Sequence, residues 1–115
     1  MNFNEYQEWA KTTDVFNAKK DVKLTDPDFI TKILGLSGEA GEVSEKFKKI
    51  LRDKNGKIST EDKNEIVKEL GDVLWYIATI SRYLGVSFDE VAQKNVFKLS
   101  LRMAKNKLHG EGDNR

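Results

Sequence analysis

Two pairs of acidic residues, each with members three positions apart, are the residues of this chain best suited to chemistry. Glu39 and Glu42 lie in the segment GEAGEV, and Glu69 and Asp72 lie in KELGDV. Residues three apart on an α-helix project from the same side. If the helices that carry the two pairs run antiparallel, four carboxylates face one cleft, where they repel one another unless cations lie among them. The spacing therefore predicts a cation site.

The chain offers oxygen ligands and few others. It has no cysteine, and its single histidine, His109, lies beyond the last predicted helix and receives no role. Carboxylates suit Mg²⁺ and Mn²⁺, whereas zinc and copper sites use Cys or His, and a di-iron carboxylate bundle needs Glu-x-x-His pairs. The residues therefore point to Mg²⁺ or Mn²⁺. The alternative is that these acids are solvated surface charges paired with lysines.

Three glycines accompany the acids, although each glycine costs a helix about 1 kcal/mol relative to alanine. Gly38 and Gly41 each precede an acid of the first pair, and Gly71 lies inside the second pair. A glycine leaves room where something approaches the backbone. These positions therefore predict close contact with a packed helix or a bound ligand.

Hydrophobic periodicity and capping residues predict four helices joined by short connectors. A chain of 115 residues with this pattern is expected to form one all-α domain over 1–115, a four-helix bundle-like subunit with a loose tail at 108–115. The expected helices, with the residues that begin or end them, are 4–19 with Asn4 and Gln7 as a capping box, 27–52 after Asp26 as N-cap, 61–84 between Ser59 and Gly85, and 88–107 with Ser87 and Glu90 as a capping box.

The third predicted helix is apolar nearly all round from Val73 to Ile80. One four-helix subunit does not need so much apolar surface, so we expect an oligomer whose subunits share a core, either a homodimer or a homotetramer. The buried stripe of the fourth helix is expected at Phe88, Ala92, Val96, Leu99 and Met103.

Composition and charge argue against two classes of partner. The chain carries 20 basic and 19 acidic residues, a net charge of +1, which gives no overall attraction to duplex nucleic acid or to an anionic membrane. No apolar run approaches the roughly 18 residues of a membrane span, and the N-terminal segment lacks the apolar core of a signal peptide. We therefore expect a cytoplasmic protein.

The acidic motifs and their order resemble the ExxE…ExxD signature of the MazG-like nucleoside triphosphate pyrophosphohydrolases, an all-α family. GEAGEV precedes ELGDVLWY, and 26 residues lie between Glu42 of the first motif and Glu69 of the second. FNEYQEWAKTT resembles the family's opening helix, and NVFKLSLR and HGEGDNR resemble the end of its short single-domain members. The resemblance thus covers nearly the whole chain. Where many relatives have Glu-Glu, this chain has Gly38-Glu39, which leaves Glu39 as the only acid at that step.

The resemblance implies Mg²⁺-dependent hydrolysis of a nucleoside triphosphate between its α and β phosphorus atoms, giving a monophosphate and pyrophosphate, in cleaning of the nucleotide pool. It implies that the metal ligands and catalytic residues are Glu39, Glu42, Glu69 and Asp72. Through the family pattern Asn-x-x-Lys-Leu-x-x-Arg, it also implies that the residues binding substrate are Asn95, Lys98 and Arg102.

Other residues near these motifs have two interpretations. Tyr76 lies one turn after Asp72, where it could contact the base, sugar or phosphate of a substrate or pack in the core. Four other aromatic residues are interpreted as core, namely Tyr6, Trp9, Phe16 and Trp75. Lys46 and Lys49 are interpreted as part of a solvated face. The competing functions are a non-catalytic helical module that binds a cation or a basic partner, and a hydrolase of another phosphoanhydride.

Overall fold

The computed structural model describes residues 1–15 and 21–105, and this part of the chain contains helices and no strand. The helices are α1 (Phe3–Lys11), α2 (Pro27–Lys54), α3 (Thr60–Tyr83) and α4 (Phe88–Ala104). The predicted all-α fold is confirmed. The predicted tail at 108–115 lies outside the described residues. No helix in the described ranges has the length and apolar character needed to cross a bilayer.

The turn between α2 and α3 makes these two helices an antiparallel hairpin. Asn55 and Gly56 both adopt the left-handed region, with φ of 51° and 76°, which asparagine and glycine tolerate best. Ser59 then caps α3 and forms a reciprocal capping box with Asp62. Asp62 also pairs with Lys54 at 2.8 Å across the turn, so the last residue of α2 is fixed to the first turn of α3.

Further contacts continue the hairpin away from this turn. Lys46 of α2 lies 3.9 Å from Glu69 of α3. At the far end, the rings of Phe29 and Tyr83 meet edge to face with centroids 5.4 Å apart. From the turn outward, successive contacts lie nearer the N-terminus of α2 and nearer the C-terminus of α3. These contacts therefore share one antiparallel register.

The predicted capping box at Asn4 and Gln7 is wrong. The cap of α1 is Asn2, whose side chain accepts a hydrogen bond from the backbone N–H of Glu5 in a reciprocal box. Asn4 instead contacts α4, because its Oδ1 accepts a hydrogen bond from the backbone N–H of Asp89 at 3.0 Å. The helix starts one residue earlier than predicted, which frees both side chains for contacts between helices.

The side chain of Gln7 is buried and joins three helices. Its amide nitrogen donates to the backbone carbonyls of Ala78 and Val86, at 3.1 and 3.0 Å. Its amide oxygen accepts from the backbone N–H of Phe88 at 3.1 Å. One glutamine therefore ties α1 to the end of α3 and to the first turn of α4.

α1 ends at Lys11, well short of the predicted end at residue 19. The hydroxyls of Thr12 and Thr13 donate to backbone carbonyls three residues earlier, at 2.6 and 2.8 Å, and so take acceptors that a continuing helix would use. The prediction is wrong for residues 12–15, and residues 16–20 lie outside the described ones.

Asp14 forms a buried cluster with three side chains of α2 and α3. Its carboxylate is 1% exposed and accepts hydrogen bonds from the hydroxyl of Tyr83 and, at 2.6 Å, from Arg82. Lys32 lies 3.5 Å away and is also buried. Burial opposes ionisation of Asp14, but the Tyr83 hydrogen bond and the charges of Lys32 and Arg82 outweigh it and lower its pKa.

Much apolar surface remains exposed in the described subunit. The residues from Val73 to Ile80 are at least half buried within the subunit. They are therefore not the exposed apolar surface that the sequence predicted. The predicted stripe of α4 is only partly confirmed, because Val96 and Met103 are 63% and 68% exposed. The radius of gyration of 17.0 Å also exceeds the about 13 Å of a compact chain of this length.

Replacing Asp14 tests the buried cluster. Asp14→Ala removes the anion that Lys32 and Arg82 contact, and we expect it to lower the free energy of unfolding at pH 7 by about 3 kcal/mol, measured by urea denaturation. Asp53→Ala is the control, since its partner Arg52 and Asp53 itself are both exposed, and should change stability little.

The same comparison has a defined pH dependence. Because the folded-state pKa of Asp14 is lowered from 3.8, its contribution is complete above that value and is lost as the pH falls through the folded-state pKa. The difference between wild type and Asp14→Ala should therefore shrink below about pH 3.8. A difference that stays constant down to pH 2 would contradict the assigned role of the carboxylate.

Candidate metal centre

Three of the four acids, one from α2 and two from α3, meet between these helices. Carboxylate oxygens of Glu39, Glu69 and Asp72 all lie within 4.8 Å of one another. They meet because each helix presents its acids on the face that the hairpin turns toward the other helix. Glu42 is exposed and is not part of this group of three, although its charge acts on Glu39.

The surroundings of Glu39 disfavour the charged form of its carboxyl group. Burial, followed by the negative charges of Asp72, Glu69 and Glu42, raises the pKa of its carboxyl group above the ordinary value. Lys46 pairs with one member of the group and lies 3.9 Å from Glu69. At that distance the ammonium group offsets the repulsion only in part.

These residues fit a hard divalent cation. Mg²⁺ binds oxygen ligands at about 2.1 Å, so opposite ligands of an octahedral site lie about 4.2 Å apart. Adjacent ligands of such a site lie about 3.0 Å apart, so oxygens within 4.8 Å of one another have to approach further before all three bind one ion. Three carboxylates with no sulfur or nitrogen donor among them match Mg²⁺ or Mn²⁺.

A shallow pocket opens beside the acids. Its lining combines two of the acids with a threonine and two aromatic side chains, namely Thr13, Glu39, Asp72, Trp75 and Tyr76. The indole N–H of Trp75 donates to the hydroxyl oxygen of Thr13 at 2.7 Å. Thr13 comes from the segment after α1, so three parts of the chain build one pocket.

The sequence did not indicate Thr13 or its support. Thr13 immediately precedes Asp14, and the buried cluster therefore anchors this wall of the pocket to α2 and α3. Lys32 of that cluster also lies 5.9 Å from the centre of the Trp75 ring, within reach of a cation–π contact. The signal available in the sequence was Lys32, which lies among apolar residues of α2.

Comparisons with known proteins identify the family of this chain. The family model for the MazG nucleotide pyrophosphohydrolase domain matches residues 28–106, which include both acidic motifs. The chain belongs to this family. It is also 40% identical over 116 residues to the Gene 37 protein of Mycobacterium phage L5, with 100% of both chains covered. No solved structure gives a match.

The aromatic residues of this MazG chain divide between pocket and surface. Tyr6 of α1 is half buried and its ring contacts that of Phe88, with centroids 6.1 Å apart; burial, followed by the charge of Asp72, raises its pKa. Trp9 is 56% exposed, so its interpretation as a core residue is wrong. Trp75 and Tyr76 line the pocket, and Phe16 lies outside the described residues.

The three α4 residues inferred to bind substrate are not brought to this pocket. Asn95 is exposed, Lys98 is half buried, and Arg102 is only 5% exposed. In the described part of the chain, α4 packs on α1 and α3 but not on α2. Their role in binding stays a prediction for the MazG site.

The glycines beside the acids have no close neighbour in the subunit. A β-carbon added at Gly38, Gly41 or Gly71 would meet no described atom within 4 Å. A packed helix of the same subunit therefore does not explain these glycines, contrary to one of the two predicted reasons. Close approach of a side chain to the helix backbone occurs instead at Gly35, against Tyr76.

Thermal melts with and without Mg²⁺ test the acids as ligands. We expect saturating Mg²⁺ to raise the wild-type Tm by about 4 °C or more. Asp72→Asn and Glu39→Gln should lose this shift while their metal-free Tm holds steady or rises, because each removes a repelling charge.

Glu65→Gln is the matched control. Glu65 is an exposed acid of α3 paired with Lys68, and this variant should keep the full Mg²⁺ shift. A wild type that Mg²⁺ does not stabilise would show that these acids are not a metal site.

Proposed function

We propose that this protein is a Mg²⁺-dependent nucleoside triphosphate pyrophosphohydrolase that cleaves the α–β phosphoanhydride of ribo- or deoxyribonucleotides, in cleaning of the nucleotide pool. The products are the monophosphate and pyrophosphate. The observation that carries the proposal is the convergence of three carboxylates within 4.8 Å beside an open pocket, in a chain of the MazG family.

The bound metal supplies charge neutralisation and a water of lowered pKa. The protein's own part is to hold the acids in place: Glu39 from α2, and Glu69 and Asp72 from α3, share one location despite their repulsion. Glu42 lies one turn beyond Glu39 and adds negative charge for the cation. Hydrolysis then depends on positioning, since phosphoryl transfer asks little covalent chemistry of the protein.

The pocket beside the acids suits the remainder of a nucleotide. Trp75 and Tyr76 present aromatic faces and, for Tyr76, a hydroxyl group, on which a base can stack or with which a sugar can hydrogen bond. The hydrogen bond from Trp75 to Thr13 at 2.7 Å holds the indole in one orientation. A fixed wall next to the acids sets the distance between the bound base and the phosphates.

Product analysis tests the reaction. We expect a panel of nucleoside triphosphates with Mg²⁺ to yield monophosphate and pyrophosphate as first products, followed by ³¹P NMR. Asp72→Asn should lower kcat/KM by orders of magnitude, because it removes a ligand of the metal that stabilises the transition state. Glu65→Gln should retain activity.

Two outcomes would contradict this reaction. Orthophosphate and a diphosphate as first products would mean that a different phosphoanhydride is cleaved. Mg²⁺ binding without turnover of any nucleotide in the panel would favour a non-catalytic helical module that binds a cation.

We also propose that the working enzyme is a homodimer or homotetramer. Ile30 and Leu34, one turn apart on α2, are 46% and 67% exposed, and Val67 and Leu70 on α3 are 64% and 50% exposed. Soluble monomers rarely leave extended apolar faces in water. A second copy covering these helices would bury residues that the single subunit leaves exposed.

Light scattering tests the assembly. We expect a mass of two or four times 13.2 kDa at micromolar concentration, and a smaller mass for Leu34→Glu, which places a charge on the apolar face. Leu24→Glu is the matched control, because Leu24 is equally exposed at 67% but lies outside the helices. A wild type that scatters as a 13.2 kDa monomer would refute the proposal.

A further inference from the structure

The side chain of Tyr76 lies directly against the backbone of α2 at Gly35. A β-carbon at Gly35 would overlap ring atoms Cε1 and Cζ of Tyr76 and would lie 2.7 Å from its hydroxyl oxygen. Among the glycines of α2 and α3, all of them described, Gly35 alone has a neighbour that its missing side chain admits. This glycine therefore has a packing role that the three beside the acids do not have.

The Tyr76 ring has little freedom to move away. It meets the ring of Trp75 edge to face, with centroids 5.0 Å apart and planes at 84°. Trp75 is itself held by its hydrogen bond to Thr13, and Tyr76 is half buried. An added methyl group at Gly35 would therefore be accommodated chiefly by moving the two helices apart.

This contact lies one helical turn from the acids on both helices. Gly35 precedes Glu39 by four residues on α2, and Tyr76 follows Asp72 by four residues on α3. Residues four apart lie on the same face of a helix, so the contact and the acids occupy successive levels of one interface. Because a helix is rigid over a single turn, the separation at Gly35 determines the separation of the carboxylates.

We propose that Gly35 is a positioning residue for the candidate metal centre: by admitting the Tyr76 ring against the α2 backbone, it sets the distance between Glu39 and Asp72. This inference rests on the proposed function only in assuming that these acids hold a divalent cation. Gly35 touches neither metal nor substrate and acts through the spacing of the helices. The distance it sets is short, because a glycine lets the ring reach the helix axis more closely than any other residue would.

Mn²⁺ titration followed by electron paramagnetic resonance, without nucleotide, tests the proposal. We expect Gly35→Ala to weaken Mn²⁺ binding by about 10- to 100-fold, as the loss of a supporting contact does at other metal sites. Gly38→Ala is the matched control, since it makes the same substitution on the same helix where no described atom lies within 4 Å of the new methyl group. It should bind Mn²⁺ as wild type does, with the oligomeric state of each sample checked by light scattering.

Two double variants identify the contact. Leucine lacks the outer ring atoms that the new methyl group would overlap, so Gly35→Ala with Tyr76→Leu should bind Mn²⁺ as tightly as Tyr76→Leu alone. Phenylalanine keeps Cε1 and Cζ, so Gly35→Ala with Tyr76→Phe should remain defective. This pattern distinguishes crowding by the ring from loss of the hydroxyl group.

Each outcome has one reading. The inference is overturned if folded Gly35→Ala binds Mn²⁺ like wild type, or if Tyr76→Leu does not restore binding. If Gly35→Ala does not fold, a double variant with Tyr76→Leu that folds and binds Mn²⁺ supports the inference, and one that also fails overturns it. A wild type that binds no Mn²⁺ would instead contradict the proposed function, because that function requires a divalent cation at these acids.

Discussion

The register of α2 against α3 is the constraint on which the candidate site depends. Each helix contributes carboxylates that repel those of the other, so the acids themselves oppose the pairing that brings them together. The pairing is imposed from both sides of the acid group. Lys54 and Asp62 join the helices at the turn, and Phe29 packs on Tyr83 at the far end. The acids lie between these contacts, which hold the two helices in register.

The Asp14 cluster lies about two helical turns along α2 from the acid group. It contains more basic than acidic side chains, whereas the acid group contains more acidic ones. Lys32 and Arg82 surround the single carboxylate of Asp14, whereas in the acid group three carboxylates lie together and Lys46 pairs with one of them, Glu69. Taking charges out of water costs free energy that their mutual attraction only offsets, so the Asp14 cluster contributes position more than stability. It fixes the segment after α1 on the hairpin, and with it Thr13, whose hydroxyl orients Trp75 in the wall of the pocket.

Sequence reasoning worked where the signal is local or periodic. Helices α2, α3 and α4 and the facing of Glu39 toward Glu69 and Asp72 follow from spacing and capping preferences. It failed where a side chain acts across the fold. Asn4 and Gln7 look like a helix cap, but they bind the first turn of α4. Gly35 looks no different from Gly38 in the sequence, and only the position of Tyr76 distinguishes them.

The make-up of the core bears on how this subunit becomes stable. Among the described residues the buried set contains as many polar side chains as apolar ones; the apolar members are Ala10, Phe29, Ile50, Ile66, Ala78 and Phe88, and the polar members are Gln7, Asp14, Lys32, Thr79, Ser81 and Arg102. Hydrophobic burial is the main favourable term in folding, and hydrogen-bonded polar groups contribute little net stability once their desolvation is counted. A core of this kind specifies the arrangement of the helices more than it stabilises them. In the proposed oligomer, the large side chains that the subunit leaves exposed on α2, α3 and α4 would supply further apolar burial. The contacts that hold the acids in register and the contacts between subunits would then belong to different surfaces of the same helices.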